Sequence, residues 1–388
     1  MLRRTLAMIA VAAALACGGG AARAGEAGVT ATQITIGGST ALTGPGALVG
    51  IAIDLGEQVA VAEINAAGGI NGRRLVRIFE DDGYVPARTV QAMRKLLDVD
   101  QVFAITSSSG TASTMAALPL VQEKNAPMLQ TAAPNTVMYS PVKHNLFVVG
   151  RAYGPGTHDF VKFLAARKPG GKWLAIVQDD DYGDDVQSGY DAAVKELGLQ
   201  SVGVLRYKRG QKDFSAEVLR ARQLGATVIV SGGIIGENVA IAKEIKRVGL
   251  DAQLAILWSG RIPTLIELMG EAGTGVIAAD YVGDFSDAAG AAFLAKARSY
   301  LPPGEISRLN RYSLTSYAGI LLLADAIRRC GQDVTRACVI TRLEQTKDFD
   351  PAGITSPLSF SPERHISDLT LRYTIADFAT KTWLPLAQ

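Results

Sequence analysis

Three short stretches carry the residue types from which a binding site can be built. Thr106-Ser107-Ser108-Ser109-Gly110-Thr111 places five hydroxyls between an apolar run at 102–105 and a helical pattern that starts at Ala112. Hydroxyls and unpaired backbone N–H groups at a helix N-terminus attract a carboxylate, through the orphan donors and the helix dipole together. The plainer reading is that they only cap the helix. Capping needs one hydroxyl, so the surplus favours ligand contact at Ser107, Ser108, Ser109 and Thr111. Gln130-Thr131-Ala132-Ala133-Pro134-Asn135 and Trp258-Ser259-Gly260-Arg261-Ile262-Pro263 follow two further apolar runs in the same way.

Catalytic signals are sparse. His144, His158 and His365 are dispersed without metal-ligand spacing, and neither a Gly-x-Ser-x-Gly turn nor a His-Glu-x-x-His pair is present. Asp179-Asp180-Asp181 follows a strand-like run, where an acidic cluster can take magnesium. Gly44-Pro45-Gly46 with Gly50 lacks the spacing of a dinucleotide loop. The expected chemistry is therefore binding, with no enzyme activity, cofactor or metal.

The loops need elements to hold them. Apolar β-like runs at 34–36, 75–79, 102–105 and 127–129 alternate with helical patterns, and a second series runs through 173–177, 201–207, 227–230 and 254–257. Continuous apolar strands joined by helical crossovers predict parallel sheets covered on both faces. Gly198, Gly225 and Gly249 stand where helices should stop. The expected fold class is α/β, two doubly wound parallel-sheet lobes, with a hinge near 148–154. Ligands of such sheets sit beyond the carboxyl ends of the strands, where the polar loops fall.

The chain opens Met1-Leu2-Arg3-Arg4, continues with an apolar run at 6–16 and reaches Ala22-Arg23-Ala24. This predicts a secretory signal over 1–24, cut after Ala24, because the run is too short to span a bilayer. Cys17 lacks the large apolar residue expected before a lipidated cysteine. After cleavage Cys330 and Cys338 remain. Export permits a disulfide between them, with two separate buried thiols as the alternative. With 39 basic and 37 acidic residues there is no excess charge for nucleic acid, so a small-molecule partner is expected.

Several motifs in order resemble the type I periplasmic solute-binding proteins, in particular the leucine/isoleucine/valine-binding branch of ABC transporter receptors. They are Ile36-Gly37 with Leu42-Thr43-Gly44-Pro45, the stretch from Ala62-Glu63-Ile64-Asn65 through Gly68-Gly69-Ile70-Asn71-Gly72, and Asp81-Asp82 with Pro86-Ala87. Asp181-Tyr182-Gly183, Lys212-Asp213-Phe214, Gly232-Gly233 and Arg247-Val248-Gly249-Leu250 follow. The resemblance implies two lobes joined by three strands: 25–149 plus 284–354, and 150–283 plus 355–388. It further implies a periplasmic, monomeric protein whose cleft closes on a ligand that it delivers to an inner-membrane ABC permease. A ligand sensor for a separate receptor is the other use of this fold.

By the same resemblance, Thr111 and the backbone at Ala132 and Ala133 meet the ligand carboxylate, with Pro134 unable to donate. Tyr182 and Ile234 line the cleft from the other lobe. Ile234 and Val49 replace aromatics, which implies a wider pocket. The family's ammonium-binding carboxylate belongs after the run at 254–257, but no Asp or Glu lies between Asp251 and Glu267. Ser259 and Arg261 stand there instead. Arg261 suits a second acidic or carbonyl group on the ligand, unless it points to solvent. The expected solute bears a carboxylate: an amino acid, or an aromatic or dicarboxylic acid.

Overall fold

The computed structural model describes residues 25–108 and 110–387. The export signal, Cys17 and Ser109 lie outside the described residues. The first sheet is built from β1 (Gln33–Thr40), then α1 (Ala47–Ala66), β2 (Arg74–Asp81), α2 (Pro86–Arg94), β3 (Ala104–Ser108), α3 (Gly110–Glu123), β4 (Met128–Gln130) and β5 (Leu146–Val148). Its order is β2-β1-β3-β4-β5, with every pair parallel. Each strand after the first is reached through a crossover, so the central strands are apolar on both faces, and β1 is buried from Ile34 onward.

The chain then enters a second lobe: α4 (Tyr153–Ala165), β6 (Lys172–Gln178), α5 (Asp181–Leu197), β7 (Gln200–Tyr207), α6 (Ser215–Leu224), β8 (Val228–Gly232), α7 (Gly236–Val248), β9 (Gln253–Ile256), α8 (Pro263–Met269) and β10 (Ile277–Asp280). Gly198, Gly225 and Gly249 end α5, α6 and α7 with φ near +60° to +70°, the left-handed conformation that glycine adopts without a Cβ clash.

After β10 the chain crosses back. Here α9 (Ala288–Tyr300), α10 (Arg311–Arg329) and α11 (Arg336–Glu344) pack on the first lobe. α10 lies against α1 at Gly56, where a Cβ would fall 2.2 Å from the Ser313 carbonyl oxygen. That close approach brings the start of α10, with Arg311 and Tyr312, over the carboxyl end of the first sheet. Cys330, which caps the end of α10, and Cys338, in the first turn of α11, are joined by a disulfide with Cα atoms 6.1 Å apart. Finally β11 (Arg372–Asp377) and β12 (Thr382–Leu386) extend the second sheet antiparallel, in the order β12-β11-β10-β9-β8-β6-β7.

Two details depart from the sequence reading. The last crossing comes later than residue 354. Phe360 and His365 pack on Phe147, and Ile366 bridges Val148, so the segment stays with the first lobe until then. β3 also runs through Ser108. Thr106, Ser107 and Ser108 are therefore strand residues, with Ser107 and Ser108 paired to Gly38 and Ser39 of β1, and not members of a loop.

Candidate functional site

The carboxyl ends of the two sheets face each other across a cavity of about 60 Å³. That is room for several waters at roughly 10–15 Å³ each. The first lobe contributes Val49, Tyr84, Gly110, Thr111, Ala132 and Ala133. The second contributes Tyr182, Arg209, Ile234, Glu237 and Ser259, while Tyr153 and Tyr312 enter from the crossing segments. All stand on loops that follow strands or on the first turns of helices, as the geometry of open α/β sheets requires.

Thr111 is the best-placed hydroxyl. It sits in the first turn of α3, is 2% exposed, lines the cavity, and its Oγ1 has no hydrogen-bond partner. A buried hydroxyl left unpaired costs about 1–3 kcal/mol, a cost that a ligand oxygen would relieve. Ser107 and Ser108 are buried within β3 and are not among the lining residues, which corrects the reading of four serial contacts.

Ala132 and Ala133 line the cavity, but their N–H groups are committed. Both donate to Gln130 Oε1, at 2.8 and 3.0 Å, while Gln130 Nε2 donates to Thr114. The side chain of Gln130 thus takes the place expected of a ligand carboxylate at these amides.

On the second lobe Tyr182 and Ser259 form one unit. Ser259 donates to the Gly233 carbonyl at 3.1 Å, which leaves the Tyr182 hydroxyl to donate to Ser259 at 2.8 Å. Burial raises the Tyr182 pKa well above its usual value, so the pair is neutral. Ile234 lines the cavity. The predicted widening at Val49 and Ile234 is offset by Tyr84, Tyr153, Tyr182 and Tyr312, which crowd the same space.

Arg261 is neither free for a ligand nor on a solvent rim. It is 4% exposed, lies 3.3 Å from Asp280 and 3.4 Å from Asp284, and is absent from the cavity lining. Asp280 also takes both Nε and Nη2 of Arg311, at 2.7 and 2.9 Å. An unpaired buried guanidinium would be costly, and the end of β10 supplies the carboxylate that prevents it.

The remaining motifs have structural work. Asp81 accepts from Leu42, Thr43 and Gly83 and ties the loops after β1 and β2 together. Despite some burial, these donors hold its carboxyl below the usual range. Asp82 accepts from the Tyr84 N–H at 2.9 Å, which holds Tyr84 at φ 66°. Such a left-handed backbone is uncommon for a non-glycine residue and carries strain. The Tyr84 ring lies against Gly110, where a Cβ would fall 2.7 Å from it. Asp180 caps α5 and pairs with Arg209 at 2.6 Å, and Asp179 pairs with Arg206. No cluster suited to a metal occurs among the described residues.

Direct bonds cross between the lobes. Arg209 stacks 4.5 Å over the Tyr84 ring. Asn135 donates to the Asp181 carbonyl and the Thr136 N–H to Asp185, both at 2.8 Å. The Tyr312 hydroxyl donates to the Ser259 carbonyl at 3.0 Å. Tyr84 and Arg209 follow β2 and β7, positions that the strand-end rule covers but hydroxyl-rich composition does not single out. Tyr312 arrives on a returning helix, and Glu237 lies four residues beyond the Gly232-Gly233 motif.

Comparison with known proteins agrees with this architecture. The chain is 27% identical to Leu/Ile/Val-binding protein homolog 1 of Brucella abortus, with 87% of this chain and 88% of that protein covered. An amino acid binding protein of Pseudomonas aeruginosa is 29% identical over 57% of this chain; the chain spans 59% of its length, and 63% of the Leu/Ile/Val-binding protein homolog 3 of Brucella melitensis. The fold superposes with a TM-score of 0.83 on a branched chain amino acid ABC transporter structure from Thermus thermophilus with bound valine (22% identity, 93% of this chain and 97% of that one). It superposes with a TM-score of 0.81 on a solute-binding protein from R. palustris in complex with 4-hydroxybenzoate (20% identity, 92% and 96%). The sequence profile of the family described as periplasmic binding protein matches residues 33–377. With nearly all of the described residues inside that match, the chain belongs to the periplasmic binding protein family.

Proposed function

We propose that the protein is exported by a signal cut after Ala24, captures a small carboxylate-bearing solute between its lobes, and delivers it to an ABC permease in the inner membrane. The observation that carries this reading is Thr111: a buried, unpartnered hydroxyl in the first turn of a 14-residue helix, facing the cavity. Unpaired N–H groups and the helix dipole favour an anion at that place. Relatives named as amino acid and Leu/Ile/Val-binding proteins support a solute of this class.

The ligand docks on the first lobe, and closure of the hinge buries it against the second. The bonds from Asn135 and Thr136 to α5, with the stacking of Arg209 on Tyr84, are those that closure would make. A thermal-shift screen of small amino acids, aromatic acids and dicarboxylic acids tests the reading. A ligand at 100 times its dissociation constant should stabilise the protein by about 2.7 kcal/mol. Stabilisation by neutral sugars or amines, with every carboxylate inert, would refute it.

A further inference from the structure

Tyr84 and Arg209 meet at the edge of the cleft opposite the hinge. The chain leaves the first sheet after β5 and the second after β10, and these two crossings lie side by side: a Cβ on Gly150 would fall 2.9 Å from the Tyr281 hydroxyl. In the strand orders β2-β1-β3-β4-β5 and β10-β9-β8-β6-β7, the strands farthest from the crossings are β2 and β7. Four strand spacings make a lever arm of about 19 Å. Tyr84 follows β2 and Arg209 follows β7, so rotation about the crossings parts this pair farther than groups beside the hinge.

The Tyr84 ring is seated by both lobes. On its own lobe it lies between Gly46 and Gly110, where added Cβ atoms would fall 3.3 and 2.7 Å from it. Asp82, fully buried, takes the Ser39 and Thr89 hydroxyls as well as the Tyr84 N–H, which fixes the direction in which the ring leaves its loop. On the other lobe Arg209 stacks over its face, an attraction of guanidinium for the ring. Gln178, at the end of β6, meets its hydroxyl, which burial pushes up to about 12 and so keeps protonated. Asp180 joins these partners: it accepts from Arg209 at 2.6 Å and from Gln178 at 2.5 Å, and its other oxygen takes the Tyr182 N–H at 3.1 Å. Tyr182 lines the cavity, so the contact at the far edge and the wall that faces the solute share one carboxylate.

We propose that Tyr84 and Arg209 form a latch that acts after docking, holding the lobes shut at the edge farthest from the hinge and so setting how long the solute stays. This rests on the proposed capture by closure between the lobes. Thr111 belongs to the first lobe alone and can meet a solute whether the cleft is open or shut. The ring and the guanidinium belong to different lobes and touch only when it is shut. The strength of the latch comes from the two lobes, so it acts alike on every solute that the cleft admits.

The test is stopped-flow fluorescence on the full mature protein with L-valine, L-phenylalanine and glutarate as probes. Wild type, Tyr84→Ala, Tyr84→Phe, Arg209→Ala and the double variant Tyr84→Ala/Arg209→Ala are compared, with circular dichroism and melting curves to establish folding. For every probe that binds, each alanine variant should raise the dissociation rate by the same factor, about five- to thirtyfold, and leave the association rate unchanged. Tyr84→Phe, which keeps the stack and loses the hydroxyl, should fall between. The double variant should release no faster than the single ones, since each removes the same contact. Dissociation rates equal to wild type, single effects that multiply in the double variant, or a loss confined to association would overturn the latch and leave capture standing. If no probe binds and the unliganded variants scatter X-rays as wild type does, both fail; a larger radius of gyration in the variants would support the latch.

Discussion

Replacing Thr111 by valine removes one hydroxyl at almost constant volume. In most proteins the loss of a buried hydroxyl breaks an internal hydrogen bond, but Thr111 Oγ1 has no such bond to lose. The unliganded protein should therefore melt at the same temperature or slightly higher, since an unsatisfied buried oxygen is gone. Binding should suffer instead. A hydrogen bond to a charged group is worth about 1.5–3 kcal/mol, so the dissociation constant of a carboxylate should rise roughly ten- to a hundredfold. Thr111→Ser keeps the oxygen and should stay near wild type. Calorimetric titration and scanning calorimetry of the three proteins separate the two effects. A fall in melting temperature with unchanged affinity would show that the hydroxyl serves only the helix, and the placement of the carboxylate would be refuted.

Other consequences concern the frame around the cleft. Asp280→Ala leaves Arg261 and Arg311 buried with their shared carboxylate removed, and denaturant unfolding should show a loss of about 3–5 kcal/mol; a loss under about 1 would contradict the pairing. Reduction of Cys330–Cys338, which are 8 residues apart, should cost up to about 2.5 kcal/mol by loop entropy, and free-thiol labelling of the unreduced, denatured mature protein, without Cys17, should find no reactive cysteine. Burial works against the charged form of His158, but the hydrogen bonds that the imidazolium donates to Asp159 and Glu196 outweigh it and raise the imidazole pKa. The stability this contributes is complete below a pH of about 6.5 and is lost as pH rises through the raised folded value. The gap in melting temperature between wild type and His158→Gln should accordingly be wider at about pH 6 than at about pH 9.

Much of the scaffold could be read from periodicity, because a doubly wound sheet repeats one local pattern. Apolar runs became β1, β6 and β8, and glycines marked the ends of α5, α6 and α7. The cavity lining was legible where it depends on strand ends, as at Thr111, Tyr182 and Ser259. It was not legible where partners come from distant segments. Nothing local to Arg261 announces Asp280, which arrives from the end of β10, or says that Arg311 shares it. Tyr312 reaches the cavity only because Gly56 lets α10 lie close on α1. Ser107 and Ser108 looked like loop residues on composition, yet the pairing with β1 draws them into the sheet. Glu237 lines the cavity from the first turn of α7, where a glutamate has an ordinary explanation in the helix dipole.

Capture by closure is the central claim, and small-angle scattering of the mature protein tests it most directly. Titration with the carboxylate that gives the largest thermal shift should lower the radius of gyration to a plateau at saturation. Asn135→Ala combined with Arg209→Ala, which remove two of the bonds between the lobes, should weaken that compaction. Superimposable profiles with and without saturating ligand would contradict closure.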